Sequence, residues 1–121
     1  MNITGIFKAL CDENRLRIFN LLSQDTLCVC DIETILNMTQ SNVSRHLNKL
    51  KSEGIITYEK KAQWAYYKID DNFIKENKLL YDYLISTLRN YPQFIVDNEN
   101  YKKHRESNIS CEYFTKEGNQ Q

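Results

Sequence analysis

Asp31-Ile32-Glu33-Thr34-Ile35-Leu36-Asn37-Met38-Thr39-Gln40-Ser41-Asn42-Val43-Ser44-Arg45-His46-Leu47-Asn48-Lys49-Leu50 decides the fold of this chain. Ile32, Ile35 and Leu36 recur at helical spacing and give a short helix one apolar face. Asn37-Met38-Thr39 breaks that pattern as a turn. Val43, Leu47 and Leu50 resume it at i, i+4 and i+7, so a second helix runs from Gln40 or Ser41 to about Ser52. Gly54 suits the end of that helix. Cys30 stands where the first helix needs its N-cap, and Glu33, three residues on, stands where a capping-box acid belongs. Downstream, Ile55–Lys60 and Trp64–Ile69 are rich in β-branched and aromatic residues. Only Lys61-Ala62-Gln63 separates them, so they form a hairpin whose Gly-free loop leaves the turn type open.

The flanks are helical. Ile3, Ile6, Phe7 and Leu10 mark a first helix, and Leu16, Phe19 and Leu22 a second, with Asp12 as its N-cap. Phe73, Leu80, Leu84 and Leu88, with Tyr83 and Tyr91, stripe a long helix over 72–91 that Pro92 ends. The expected architecture is mostly α (α+β), with about five helices and a two-stranded β-hairpin wing. Residues 1–92 form the winged helix-turn-helix domain. Residues 93–121 carry few aliphatics and read as a weakly structured polar tail.

The 121 residues suit one small domain. No apolar run approaches the roughly 20 residues of a membrane helix, and the start does not match a secretory signal, which makes the cytoplasm the expected location. Sixteen basic and sixteen acidic residues cancel, which first argues against a nucleic-acid partner. Their distribution reverses that inference. Residues 41–68 hold six bases against two acids, and each flanking segment has a net charge of −2.

Two short helices joined by a turn and followed by a hairpin describe a winged helix-turn-helix, whose second helix enters the DNA major groove. The residues set to reach base edges are Gln40, Ser41, Asn42, Ser44, Arg45 and His46. Gln and Asn can pair with adenine, and Arg with guanine. Lys49, Lys51, Lys60 and Lys61 are set to contact phosphates, which supply affinity without sequence information.

Four stretches carry a family resemblance. Ala9-Leu10-Cys11-Asp12-Glu13-Asn14-Arg15-Leu16-Arg17-Ile18 resembles the opening of the ArsR/SmtB metal-sensing repressors. Leu27-Cys28-Val29-Cys30-Asp31 is similar to their metal box. Ser41-Asn42-Val43-Ser44-Arg45-His46-Leu47 resembles their recognition helix, and Trp64-Ala65-Tyr66-Tyr67 their second wing strand. The resemblance covers about residues 3–90, and arsenic sensors are the nearest in pattern. It implies a homodimeric repressor that leaves its operator when a thiophilic ion binds. As(III) or Sb(III) is the implied inducer, with Cd(II) or Pb(II) as the alternative.

Cys28 and Cys30 are the implied ligands. On a regular helix they would lie about 200° apart, on opposite sides. At a helix start, with Cys28 extended and Cys30 as cap, their sulfurs could converge, and the helix dipole would favour the thiolate. The arsenic pattern places a third cysteine where this chain has Glu33, a poor ligand for a trivalent arsenic that prefers three thiolates. Cys111 in the tail and Cys11 between the first helices are the candidates for the third. Cys11 is also readily explained as a small buried residue. No His occurs in residues 70–91, so the family's zinc site on the final helix is absent, and His46 and His104 are not spaced as a zinc pair.

An enzyme is not expected. The pair is Cys-x-Cys rather than Cys-x-x-Cys, and three glycines leave no Gly-rich phosphate loop. A thiol-redox repressor of the same fold is the closer competitor. A homodimer on an inverted-repeat operator is expected, because one winged helix reads one half-site. The apolar faces of the first helix and the 73–91 stripe would supply its interface.

Overall fold

Short polar caps divide this chain into its elements, seen in a computed structural model that describes residues 2–107. Helices α1 (Ile3–Leu10) and α2 (Glu13–Leu22) precede a short strand β1 (Leu27–Cys28). Then come α3 (Val29–Leu36), α4 (Gln40–Ser52), β2 (Ile56–Lys61) and β3 (Trp64–Ile69). Helices α5 (Asp71–Glu76), α6 (Lys78–Leu88) and α7 (Pro92–Glu106) follow. Asp12 Oδ1 accepts from the Arg15 amide at 3.0 Å and caps α2 as its sequence position required. Thr39 Oγ1 does the same for α4, accepting from the Asn42 amide at 3.3 Å.

The helix-turn-helix closes through one left-handed residue. Asn37 ends α3 at φ 54°, a conformation that Asn tolerates better than most side chains. Gly54, at φ 75°, turns the chain out of α4 into β2. Val43, Leu47 and Leu50 of α4 are fully buried against Ile18, Phe19 and Leu21 of α2 and Ile32 of α3. The wing pairs β2 with β3 from Ile56↔Ile69 to Lys61↔Trp64, which leaves Ala62-Gln63 as the loop. Ala62 takes φ 56° there.

Four expectations need correction. The sheet has three strands in the order β1-β3-β2, because Leu27 and Cys28 pair with Tyr67 and Tyr66. The single helix expected over 72–91 is two, broken at Asn77, whose side-chain amide donates to the Phe73 carbonyl. The described residues therefore form seven helices rather than about five. Residues 93–106 of the expected weak tail belong to the helix α7, which packs on α2 and α3. Cys111, Tyr113 and Phe114 lie outside the described residues.

What docks α7 is a polar seam. Arg17 of α2 grips Asp97 with two bonds of 2.8 and 3.0 Å, and Asp97 is almost fully buried. Asn98 accepts from Asn20 and Gln24, each at 2.8 Å. The Tyr101 hydroxyl donates to Asp25 at 2.9 Å, and His104 meets Asp31. Phe94 and Tyr101 add the apolar contacts.

Candidate nucleic-acid interface and thiol site

The two faces of α4 are chemically distinct. Gln40, Ser41, Asn42, Arg45 and Lys49 are exposed, and Ser44 is half-buried. Arg45 donates to Asn42 Oδ1 at 3.4 Å, so these two side chains lie together near the helix start. Lys51 ends the helix with its ammonium 4.9 Å from the centre of the Tyr58 ring on β2, which joins helix and wing in one basic surface. Lys60 and Lys61 are exposed toward the tip of the wing.

His46 does not belong to that surface. It is 2% exposed and lies on the core side with Val43, Leu47 and Leu50. Arg15 Nη1 stands 3.4 Å from its Nδ1. Burial, with Arg45 and Arg15 nearby, holds its pKa below the usual value against the pull of Asp12. The ring packs α4 on α2 and, so buried, cannot reach a base edge.

The thiol site lies at the start of α3, which packs on α4. Cys28, not Cys30, is the N-cap residue, with extended backbone at φ −89° and ψ 168°. Cys30 stands in the first turn, half-buried. The acid serving the cap is Asp31 rather than Glu33, because the cap lies two residues earlier than expected. One carboxylate oxygen of Asp31 accepts from the Cys28 amide at 3.3 Å and from the Cys28 thiol at 3.1 Å. The other lies 2.9 Å from His104 Nε2. Asp31 thus joins the thiol of α3 to the end of α7.

This environment opposes the thiolate. Burial first, and then the facing Asp31 carboxylate, push the Cys28 thiol up to about 11. The helix dipole does not prevail over them. The fold favours the protonated thiol, so the stability this gives is complete below the ordinary thiol range and is lost as pH rises through about 11. Alkylation of Cys28 by iodoacetamide is expected to accelerate about tenfold per pH unit from pH 7 to 10. Asp31→Asn should speed it at fixed pH. Peptide-resolved mass spectrometry reads both, and a plateau near pH 8 would contradict this assignment.

Cys11 closes the end of α1 and is exposed, so core packing does not account for it. Among the described residues no cluster of three or more His, Cys, Asp or Glu is arranged to hold a metal ion. Asp31 and His104 were not legible as site residues, since 73 positions separate them. The spacing of Cys28 and Asp31 was the available signal, and Glu33 obscured it.

Comparison with known proteins bears on this geometry. Residues 12–58, from the start of α2 into the wing, match the family model described as bacterial regulatory protein, arsR family. The arsenical resistance operon repressor of Bacillus subtilis is 40% identical over 84 residues, which are 69% of this chain and 78% of that protein. This chain belongs to the arsR family. The family is one of DNA-binding regulators, so the chain is not an enzyme. The cadmium resistance transcriptional regulatory protein CadC of Listeria innocua is 42% identical over 80 residues, 65% of this chain. The chain spans a little under two thirds of that regulator's length, 63%.

Solved structures agree on the fold. HlyU from Vibrio cholerae superposes with a TM-score of 0.58 at 30% identity, over 66% of this chain and 88% of that one. A homodimeric winged helix-turn-helix domain from Mycobacterium bovis gives 0.61 at 26% identity, over 74% and 84%. No helix among the described residues is long and apolar enough to cross a membrane.

Proposed function

We propose that this arsR-family protein is a cytoplasmic transcriptional repressor. It binds an inverted-repeat operator as a homodimer and releases it when arsenite or antimonite binds its thiols. Cys28 and Cys30 hold the ion, with Cys111 as third ligand. Gln40, Ser41, Asn42, Ser44 and Arg45 read bases, and Lys49, Lys51, Lys60 and Lys61 bind phosphates. The dimer buries Ile3 and Phe7 of α1 with Leu79 and Tyr83 of α6, four large side chains that are 52–88% exposed in the single chain. Exposed apolar side chains of that size favour burial against a second copy over water.

The observation that carries this reading is that a segment with two cysteines, Cys28 and Cys30, begins the helix packed on the recognition helix. An ion that takes Cys28 must displace its proton and break the bond to Asp31. The first turn of α3 then re-forms, and α4 moves with it. The paired recognition helices lose their spacing on the DNA. The ion acts by binding the weakly binding state more tightly.

The test is fluorescence anisotropy of operator DNA titrated with arsenite. The wild type is expected to release DNA. The double variant Cys28→Ser, Cys30→Ser should bind DNA with unchanged affinity and stay bound. Release from the double variant would overturn the thiol reading. The similarity to cadmium regulators makes Cd(II) the second reading, so the same titration with Cd(II) ranks the two ions.

A further inference from the structure

One side chain joins three helices. Arg15 stands in the first turn of α2, largely buried. Its Nε donates to the Ala9 carbonyl and its Nη2 to the Lys8 carbonyl, the latter at 3.3 Å. Both carbonyls lie in the last turn of α1, where a helix has no amide of its own to offer and where a cation is favoured. Nη1, which can only donate, reaches Nδ1 of the buried His46 on α4 at 3.4 Å. A guanidinium carries its N–H groups in a rigid planar fork, so one residue serves both helices at once. At its other end α1 meets α4 again. Gly5 lies so close to Glu53, the C-cap of α4, that a Cβ there would collide with the carboxylate. Thus α1 is seated on α4, with Ile6, Ala9 and Leu10 buried and Ile3 and Phe7 exposed.

We infer that Arg15 is a positioning residue for operator recognition: it locks the recognition helix α4 to the dimerisation helix α1 and so fixes the half-site spacing that the dimer accepts. The inference rests on the dimeric operator reading proposed above. In that reading the exposed face of α1 meets the second copy and α4 meets DNA. The distance between the two recognition helices is then set, within each protomer, by what joins α1 to α4. Apolar packing resists separation but is not directional, whereas hydrogen bonds from one rigid fork also resist sliding and rotation. One base pair moves a half-site by about 3.4 Å along the duplex and turns it by about 35°. A protomer that holds α4 fixed on α1 rejects an operator altered by that much. Neither Arg15 nor His46 needs to touch DNA for this.

The test measures binding to three duplexes at one salt concentration by fluorescence anisotropy. The first is the inverted repeat that the wild-type protein selects from a randomised pool. The second is that repeat with one base pair inserted at its centre, and the third is a single half-site. The wild type is expected to bind the lengthened repeat about 100-fold more weakly, since it no longer holds both half-sites together. Arg15→Met is expected to bind the selected repeat about tenfold more weakly and the lengthened one within about threefold of that, with wild-type affinity for the single half-site. His46→Leu, which fills the space but accepts no hydrogen bond, should relax the spacing in the same way. Arg15→Lys, whose ammonium cannot span both carbonyls and the ring, should fall between.

A merely destabilised protein has fewer active molecules, which weakens all three duplexes alike and leaves their ratios unchanged. Should Arg15→Met fail to fold, the other two variants carry the test. Wild-type spacing discrimination in the folded variants would overturn the inference. So would a half-site affinity that falls in step with the affinity for the selected repeat. A dimeric wild type indifferent to the inserted base pair would overturn the inference alone. A wild type that sediments as a monomer and selects a single half-site would overturn the dimeric reading and the inference together.

Discussion

Arg17→Met is expected to strip α7 of its protection from hydrogen exchange while α2, α3 and α4 keep theirs. Arg17 donates two bonds to Asp97, whose side chain is 1% exposed. Without the guanidinium the carboxylate keeps, among the described residues, the Gln93 side-chain amide at 3.0 Å. Leaving one partner of such a pair buried and uncompensated costs about 3–5 kcal/mol. The protein has a cheaper course, which is to let α7 leave and hydrate Asp97. The loss is therefore capped by the docking energy of α7, and that energy rests on a polar seam with few apolar contacts. The thiol site should feel the change through His104, although Arg17 contributes nothing to it directly. Amide exchange followed by mass spectrometry is the measurement. An α7 as protected as in the wild type would show that Phe94 and Tyr101 alone hold the helix down.

Phe19→Ala is expected to lower the unfolding free energy by about 3–5 kcal/mol, through lost burial and an unfilled cavity. Phe19 is fully buried on α2. Its ring meets Phe73 of α5 edge-on at 6.2 Å and Tyr81 of α6 at 6.0 Å. It thus bridges α2 of the winged-helix core and the helix assigned to the dimer face. Chemical denaturation at fixed protein concentration measures the loss, since dimerisation would otherwise add to the apparent stability. The midpoint should fall with little change in slope. A loss below 1 kcal/mol would mean that α5 and α6 close over the gap.

The two substitutions separate two kinds of sequence information. Phe19 was legible, because it repeats with Leu16 and Leu22 on a helical face and needs only to be apolar. Arg17 and Asp97 were not. Each is an ordinary polar residue on its own helix, and 80 positions separate them. Their bond exists because the chain turns at Pro92 and lays α7 across α2. The same reason hid Asp31 and His104. A polar residue that pairs inside the fold looks, in sequence, like one that faces water. For that reason 93–106 read as a solvated tail and formed a helix.

His46 shows the converse. It sits among the polar residues of α4 and read as part of the DNA face, but its position one turn beyond Val43 places it on the core side. The periodicity held the information, and the residue type misled. The cap of α3 was misread for a related reason. Cys30 and Glu33 offer one capping pair and Cys28 and Asp31 another, each three residues apart. The pairing of Leu27 and Cys28 with β3 decides between them, because it holds Cys28 extended and starts the helix at Val29.

By itself the sequence determined the helix-turn-helix, the wing and the basic stripe across them. Those features depend on neighbours a few residues apart, through apolar spacing, caps and β-branched runs. Only the tertiary structure decided that Cys28 is a buried, protonated cap and that α7 returns to the thiol site. Those features depend on pairings between polar groups far apart in the chain, where burial and one facing carboxylate prevail over local preference.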